Sequence, residues 1–189
     1  MLSDLEALAL LRAQTGGNII IGQFGSSSSV ANVFRVDSTG KGFFDGGTQT
    51  GGADFAESVA VARESIQHEP GDLLIVDTAG KRQLKLSTKP YSTLVAGIYS
   101  TKPGVLATPH KMDEAVANEI PLAIVGIVPC KVSAENGSIQ PGDLLVTSST
   151  PGYAMKGTDR TRMLGAVVGK ALEPLSEGKS VIQVLVTLQ

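Results

Sequence analysis

Tryptophan is missing from this chain, and aromatic residues make up only 4% of its 189 positions. A core built around large rings is therefore excluded, and packing must come from aliphatic side chains. A single cysteine, Cys130, excludes an internal disulfide framework. No apolar run approaches the ~18 residues that a membrane-crossing helix needs. The sixteen Lys and Arg against eighteen Asp and Glu, net charge −2, form no dense basic cluster. A nucleic-acid partner is not expected without a basic stripe. The opening Met1-Leu2-Ser3-Asp4-Leu5-Glu6 is acidic and has no basic leader region, so no secretory signal is expected. Phosphate loops of the G-x-x-x-x-G-K type and G-x-S-x-G elbows are missing too. No cofactor is expected.

What the chain has is glycine, twenty-two of them, in no strict triplet period. That excludes collagen and points to tight turns between short strands. With 42% hydrophobic residues the chain is long enough to bury a core.

Residues 2–14 carry a helix signature. Ser3 and Glu6 form a capping box, Leu5, Leu8 and Leu11 follow at helical spacing, and Gly16-Gly17 ends the run. So short a helix is unstable alone, and its leucine stripe needs a partner, in this chain or a neighbour. From Asn18 to Gly52 short strands are expected at Ile19–Gly22, Asn32–Asp37 and Gly42–Gly47. A flexible connector is expected at Ser26–Ser29 and a turn at Ser38–Lys41. Strands of four to six residues with so few apolar side chains cannot bury a core alone, and intertwined copies of the chain would solve that.

After Asp54 the texture is compact and β-rich. Pro70-Gly71-Asp72-Leu73-Leu74 is repeated as Pro141-Gly142-Asp143-Leu144-Leu145. In each copy a turn feeds a buried strand: proline presets φ, glycine allows positive φ, and aspartate binds nearby amides. The turns should be exposed, and Leu73 and Leu144, or their neighbours Leu74 and Leu145, buried. Each copy is followed by an apolar, glycine-containing strand, Thr93–Tyr99 and Leu164–Lys170. Pro121–Val128 reads as a central strand. Ser180–Leu188 reads as a last one, tied into the sheet just before Gln189. A second short helix is expected at Lys111–Glu119. This pattern predicts a sandwich or barrel rather than a βαβ sheet.

Chemistry-bearing residues are sparse. Asp54 and Glu57 lie three apart in Gly51-Gly52-Ala53-Asp54-Phe55-Ala56-Glu57. On a helical turn they would share a face, as an acid/base pair requires, although a solvated or turn-capping pair is the commoner use of such spacing. Cys130 reads as a small buried hydrophobe. His68 and His110 have no ligand-spaced partner, so no metal site is expected. Asp113, Glu114 and Glu119 read as a solvated helix face with a possible cation role, and residues 157–162 as an exposed loop.

Taken in order, Gly-Ala-Asp-Phe-Ala-Glu (52–57), Pro-Gly-Asp-Leu-Leu-Ile-Val-Asp (70–77), Val-Gly-Ile-Val-Pro-Cys-Lys-Val (125–132) and Gln-Pro-Gly-Asp-Leu-Leu-Val (140–146) resemble peptidase G2. This is the intramolecular-chaperone C-terminal domain of phage neck-appendage and tail-fibre proteins. The resemblance covers roughly Gly51 to Gln189, and residues 32–47 resemble the last turns of a trimeric fibre. Together with the residue reading above, it gives a mainly β protein in three parts: a short oligomerising helix over 1–17, a thin fibre-like β-segment over 18–52, and a globular β-domain over 53–189. It implies a homotrimer that serves as a fibre-end or assembly module, alone or within a larger fibre or particle, on a virion or cell surface. Cleaving members are cut just before an Asp-x-x-Glu motif. The matching bond is Ala53–Asp54, with Asp54 and Glu57 as the catalytic pair, but cleaving members carry serine where this chain has Ala53. The expected function is thus a non-cleaving structural module. A self-cleaving protease and a receptor- or ligand-binding fibre tip remain the alternatives.

Overall fold

The computed structural model describes residues 17–26, 29–46, 51–62, 67–110 and 118–187. The helix expected at 2–14 lies outside them, as do residues 111–117 of the second expected helix. Glu119, its last residue, opens a strand instead. Every regular element among the described residues is β. The chain divides into two compact units, residues 1–49 and 50–189.

In the first unit, β1 (Asn18–Ser26), β2 (Ser29–Asp37) and β3 (Gly42–Phe44) form an antiparallel meander. β1 and β2 are nine residues each, longer than expected. The serine run does not part them: Ser26 is paired with Ser29 across the hairpin end. Phe34 stacks on Phe44 with ring centroids 5.3 Å apart, and the Arg35 guanidinium lies 3.4 Å over the Phe43 ring. None of the described residues of this unit is buried, and Phe24 is 78% exposed.

The second unit holds ten strands: β4 (Asp54–Val61), β5 (Leu73–Val76), β6 (Gln83–Leu86), β7 (Val95–Tyr99), β8 (Val105–Ala107), β9 (Glu119–Ser133), β10 (Leu144–Thr147), β11 (Ala154–Lys156), β12 (Val167–Ala171) and β13 (Lys179–Thr187). Their pairings make two closed circuits that share β9. One runs β4–β6–β5–β7–β9 and back to β4. The other runs β9–β11–β10–β12–β13 and back to β9. Each circuit is a small five-stranded barrel, and β9 is the last strand of the first and the first strand of the second.

The repeated motif occupies the same place in both barrels. Leu73 and Leu74 face Ile98 and Gly97, after which the register slips; Leu144 and Leu145 face Lys170 and Gly169, with the same slip. The Asp72 carboxylate accepts the Glu69 amide at 2.7 Å, and Asp143 accepts the Gln140 amide at 2.7 Å. Gly71 and Gly142 have φ of 90° and 92°, which an L side chain adopts only with strain. Leu73, Leu74 and Leu145 are fully buried, and Leu144 is half-buried. The second turn is exposed as expected. The first is not: Gly71 and Asp72 are buried, because β9 and the β10–β11 loop cover them. The core of the first barrel is Leu74, Leu84, Leu86, Ile120 and Leu122. That of the second centres on Val128, Val132, Leu145, Ile182 and Val184.

Candidate functional site

Asp54 begins β4, where its residue pairs with Gly126 of β9. The backbones approach closely there: a Cβ on Gly126 would lie 2.7 Å from the Asp54 Cα. Asp54 is 4% exposed. Ser100 Oγ donates to its Oδ1 at 3.0 Å, while Oδ2 is buried without a hydrogen-bonding partner. Burial pushes its pKa above the usual carboxylate value, and the Ser100 hydrogen bond only partly opposes that. A groove of about 390 Å³ opens beside it, lined also by Ala53, Thr101, Lys102 and Gln183.

Glu57 is not beside it. Side chains alternate along a strand, so residues three apart leave opposite faces. The motif is strand, not the helical turn on which the two carboxylates would meet. Glu57 stands on the outer face with its carboxylate 4.0 Å from the Arg82 guanidinium, both well exposed. Asp54 thus has burial and a raised pKa, whereas Glu57 has solvent and a loose ion pair.

The other candidates have structural surroundings. Cys130 is buried and its thiol pKa is pushed up to about 12, chiefly by that burial, so it is inert as a nucleophile. Glu119 accepts from Ser58 Oγ at 2.5 Å and pairs with His110 Nε2 at 2.9 Å; these hydrogen bonds, Ser58 first, lower its pKa. Asp113 and Glu114 lie outside the described residues. No group of three or more His, Cys, Asp or Glu side chains among the described residues is placed to hold a metal ion. The 157–162 loop is mostly exposed, as expected, and is tied to the first barrel by the Tyr91 hydroxyl, which accepts the amides of Thr158 and Asp159 at 2.9 and 3.0 Å. Sequence reasoning did not single out Tyr91, and a contact sixty-seven residues away left no local trace.

The outer face carries a second feature. Phe55 is 57% exposed and sits in register with Val105 of β8 on one side and Val125 of β9 on the other. Ile127, two residues beyond Val125 on β9, extends this apolar surface and is also exposed.

The fold is shared with a bacteriophage protein. Over 82% of this chain the structure matches the pre-mature form of bacteriophage phi29 gene product 12, with a TM-score of 0.59 and 14% sequence identity. The match spans 24% of that phage chain. No protein-family model and no curated protein matches the sequence.

Proposed function

We propose that this chain is a homotrimeric assembly module at the end of a phage-like appendage, of the peptidase G2 kind that its motifs resemble. The observation that carries the reading is unsatisfied apolar surface. The β1–β3 sheet has no buried residue among those described, and a three-stranded sheet without a covered face is not stable in water. The second unit leaves Phe55, Val105 and Val125 exposed side by side in register, with exposed Ile127 two residues further along β9. Exposed apolar surface of this kind marks interaction sites. The shared fold with a phage gene product favours the same reading. If unfolding is coupled to dissociation, melting temperature rises with protein concentration. We expect the midpoint to fall across a hundredfold dilution, and a concentration-independent midpoint would contradict the trimer.

One observation favours a second reading, self-cleavage at Ala53–Asp54: Asp54 is a buried carboxylate with a raised pKa and an unpartnered oxygen next to that bond. Against it stand the outward Glu57 and the missing hydroxyl at Ala53, since peptide hydrolysis needs a held nucleophile and a proton shuttle together. We expect the purified chain to stay whole. If Ala53→Ser yields a fragment beginning at Asp54, and Glu57→Gln abolishes that cut, the pair is a latent catalytic site. A fragment beginning at Asp54 in the unaltered protein would overturn the structural reading.

A further inference from the structure

In the first barrel, β5 and β6 part where the Pro70-Gly71-Asp72 turn ends, and a third piece of backbone stands between them. Ser87 N donates to Leu73 O at 3.0 Å, but the return bond from Leu73 N to Ser87 O is replaced by Gly152. Leu73 N donates to Gly152 O at 2.8 Å, and Gly152 N donates to Ser87 O at 2.9 Å. Gly152 belongs to the tight turn Thr150-Pro151-Gly152-Tyr153, in which Tyr153 N donates to Thr150 O at 3.1 Å. Proline followed by a glycine with φ of 77° suits a type II turn. A Cβ on Gly152 would lie 2.7 Å from Asp72 Oδ1, so the inserted residue has no room for a side chain.

In the second barrel β10 and β11 part in the same way, and no described residue stands between them. Gly157 N donates to Leu144 O at 2.8 Å, as Ser87 N does to Leu73 O. Again the return bond is not made: Leu144 N and Gly157 O have no hydrogen-bonding partner among the described residues. β12 does not supply one. Ala171 N donates to Asp143 O at 3.0 Å, which makes Leu144 and Lys170 a pair whose own amides point away from each other. Leu144 and Gly157 both line a cavity of about 690 Å³, with Met163 and Leu164 as apolar wall. Asp143 needs no charge from an occupant. It takes the Gln140 amide at 2.7 Å and the Lys156 ammonium at 2.8 Å, as Asp72 takes the Glu69 amide at 2.7 Å and the Lys131 ammonium at 2.8 Å. Of the lining side chains Lys156 offsets Asp143 and Arg160 is left over, so a neutral or acidic occupant suits the cavity and a basic one does not.

We propose that this cavity is a docking site for a Pro-Gly turn of another polypeptide. The glycine carbonyl of that turn accepts from Leu144 N, and its amide donates to Gly157 O. The occupant is the one the chain itself uses at the equivalent place in the first barrel, and its glycine meets the same demand for a residue without a side chain. The inference goes beyond the trimer reading and does not depend on it.

The test uses the full chain, isotope-labelled for amide resonance measurements, and the probe acetyl-Thr-Pro-Gly-Tyr-amide, the sequence that fills the first barrel's notch. So few contacts give millimolar binding, and the titration runs to about 10 mM. The inference expects saturable shifts of the Leu144 and Gly157 amide resonances, with Leu144 moving downfield as its N–H gains an acceptor. Two altered probes check the chemistry. Sarcosine in place of the glycine removes the donor to Gly157 O, and alanine adds the Cβ that the first notch excludes. Each should bind more weakly by about tenfold or more. A Leu144 resonance that does not move, or one that moves equally with all three probes, overturns the inference. Shifts centred on Leu73 and Ser87 with Leu144 unmoved overturn it too, because the probe would then be displacing the chain's own turn.

Discussion

Phe55→Asp is expected to leave the second unit folded and to dissociate the assembly into single chains. Phe55 is exposed within its own chain, so the carboxylate costs the monomer little. Between copies the same change buries a charge in the middle of the apolar surface formed with Val105, Val125 and Ile127. Truncating a central aromatic anchor costs on the order of 2 kcal/mol or more per contact. An unpaired buried charge adds to that. Sedimentation at micromolar concentration should therefore show a trimer for the unaltered protein and a monomer for the variant, with unchanged far-ultraviolet circular dichroism. A variant that sediments as the parent does would remove this face from the interface.

The second large effect is expected at Gly126→Ala. Gly126 has a φ of 124°, a conformation open to glycine and costly to alanine. Its added Cβ would meet the Asp54 Cα at 2.7 Å and the Ala53 carbonyl oxygen at 2.8 Å, backbone that cannot step aside. Strain and overpacking together come to roughly 3–4 kcal/mol, a fall in melting temperature of roughly 10 °C for a unit of this size. Gly137→Ala separates the two causes. Gly137 has a φ of 99° but nothing within 4 Å of its Cβ position, so it bears the backbone strain alone, about 1–2 kcal/mol. If both variants melt together, close approach at the β4–β9 crossing is not what Gly126 provides.

The parts of this fold that were legible in the sequence are those set by local chemistry. Pro-Gly-Asp before two leucines is a turn and a buried strand by residue type alone, and both copies fold so. The glycine strands Thr93–Tyr99 and Leu164–Lys170 hold β7 and β12, which pair with those leucine strands in both barrels. The Ser38–Lys41 turn follows from Asp37, whose carboxylate accepts the Thr39 amide at 2.9 Å.

What escaped is long-range. Pro121–Val128 reads as one central strand, and nothing local says that β9 runs for fifteen residues and serves two barrels. The spacing of Asp54 and Glu57 suits a helical turn as well as a strand. Only the pairing of Asp54 with Gly126 makes it a strand and sends the carboxylates apart. The burial of the first turn depends on Lys131 and Gly152, sixty or more residues away in sequence. The unpartnered oxygen of Asp54 depends on the same crossing.

The measurement that tests the central claim most directly is the native mass of the particle formed by the full chain at micromolar concentration. The account predicts three times 19.5 kDa. A single 19.5 kDa species under those conditions would contradict it.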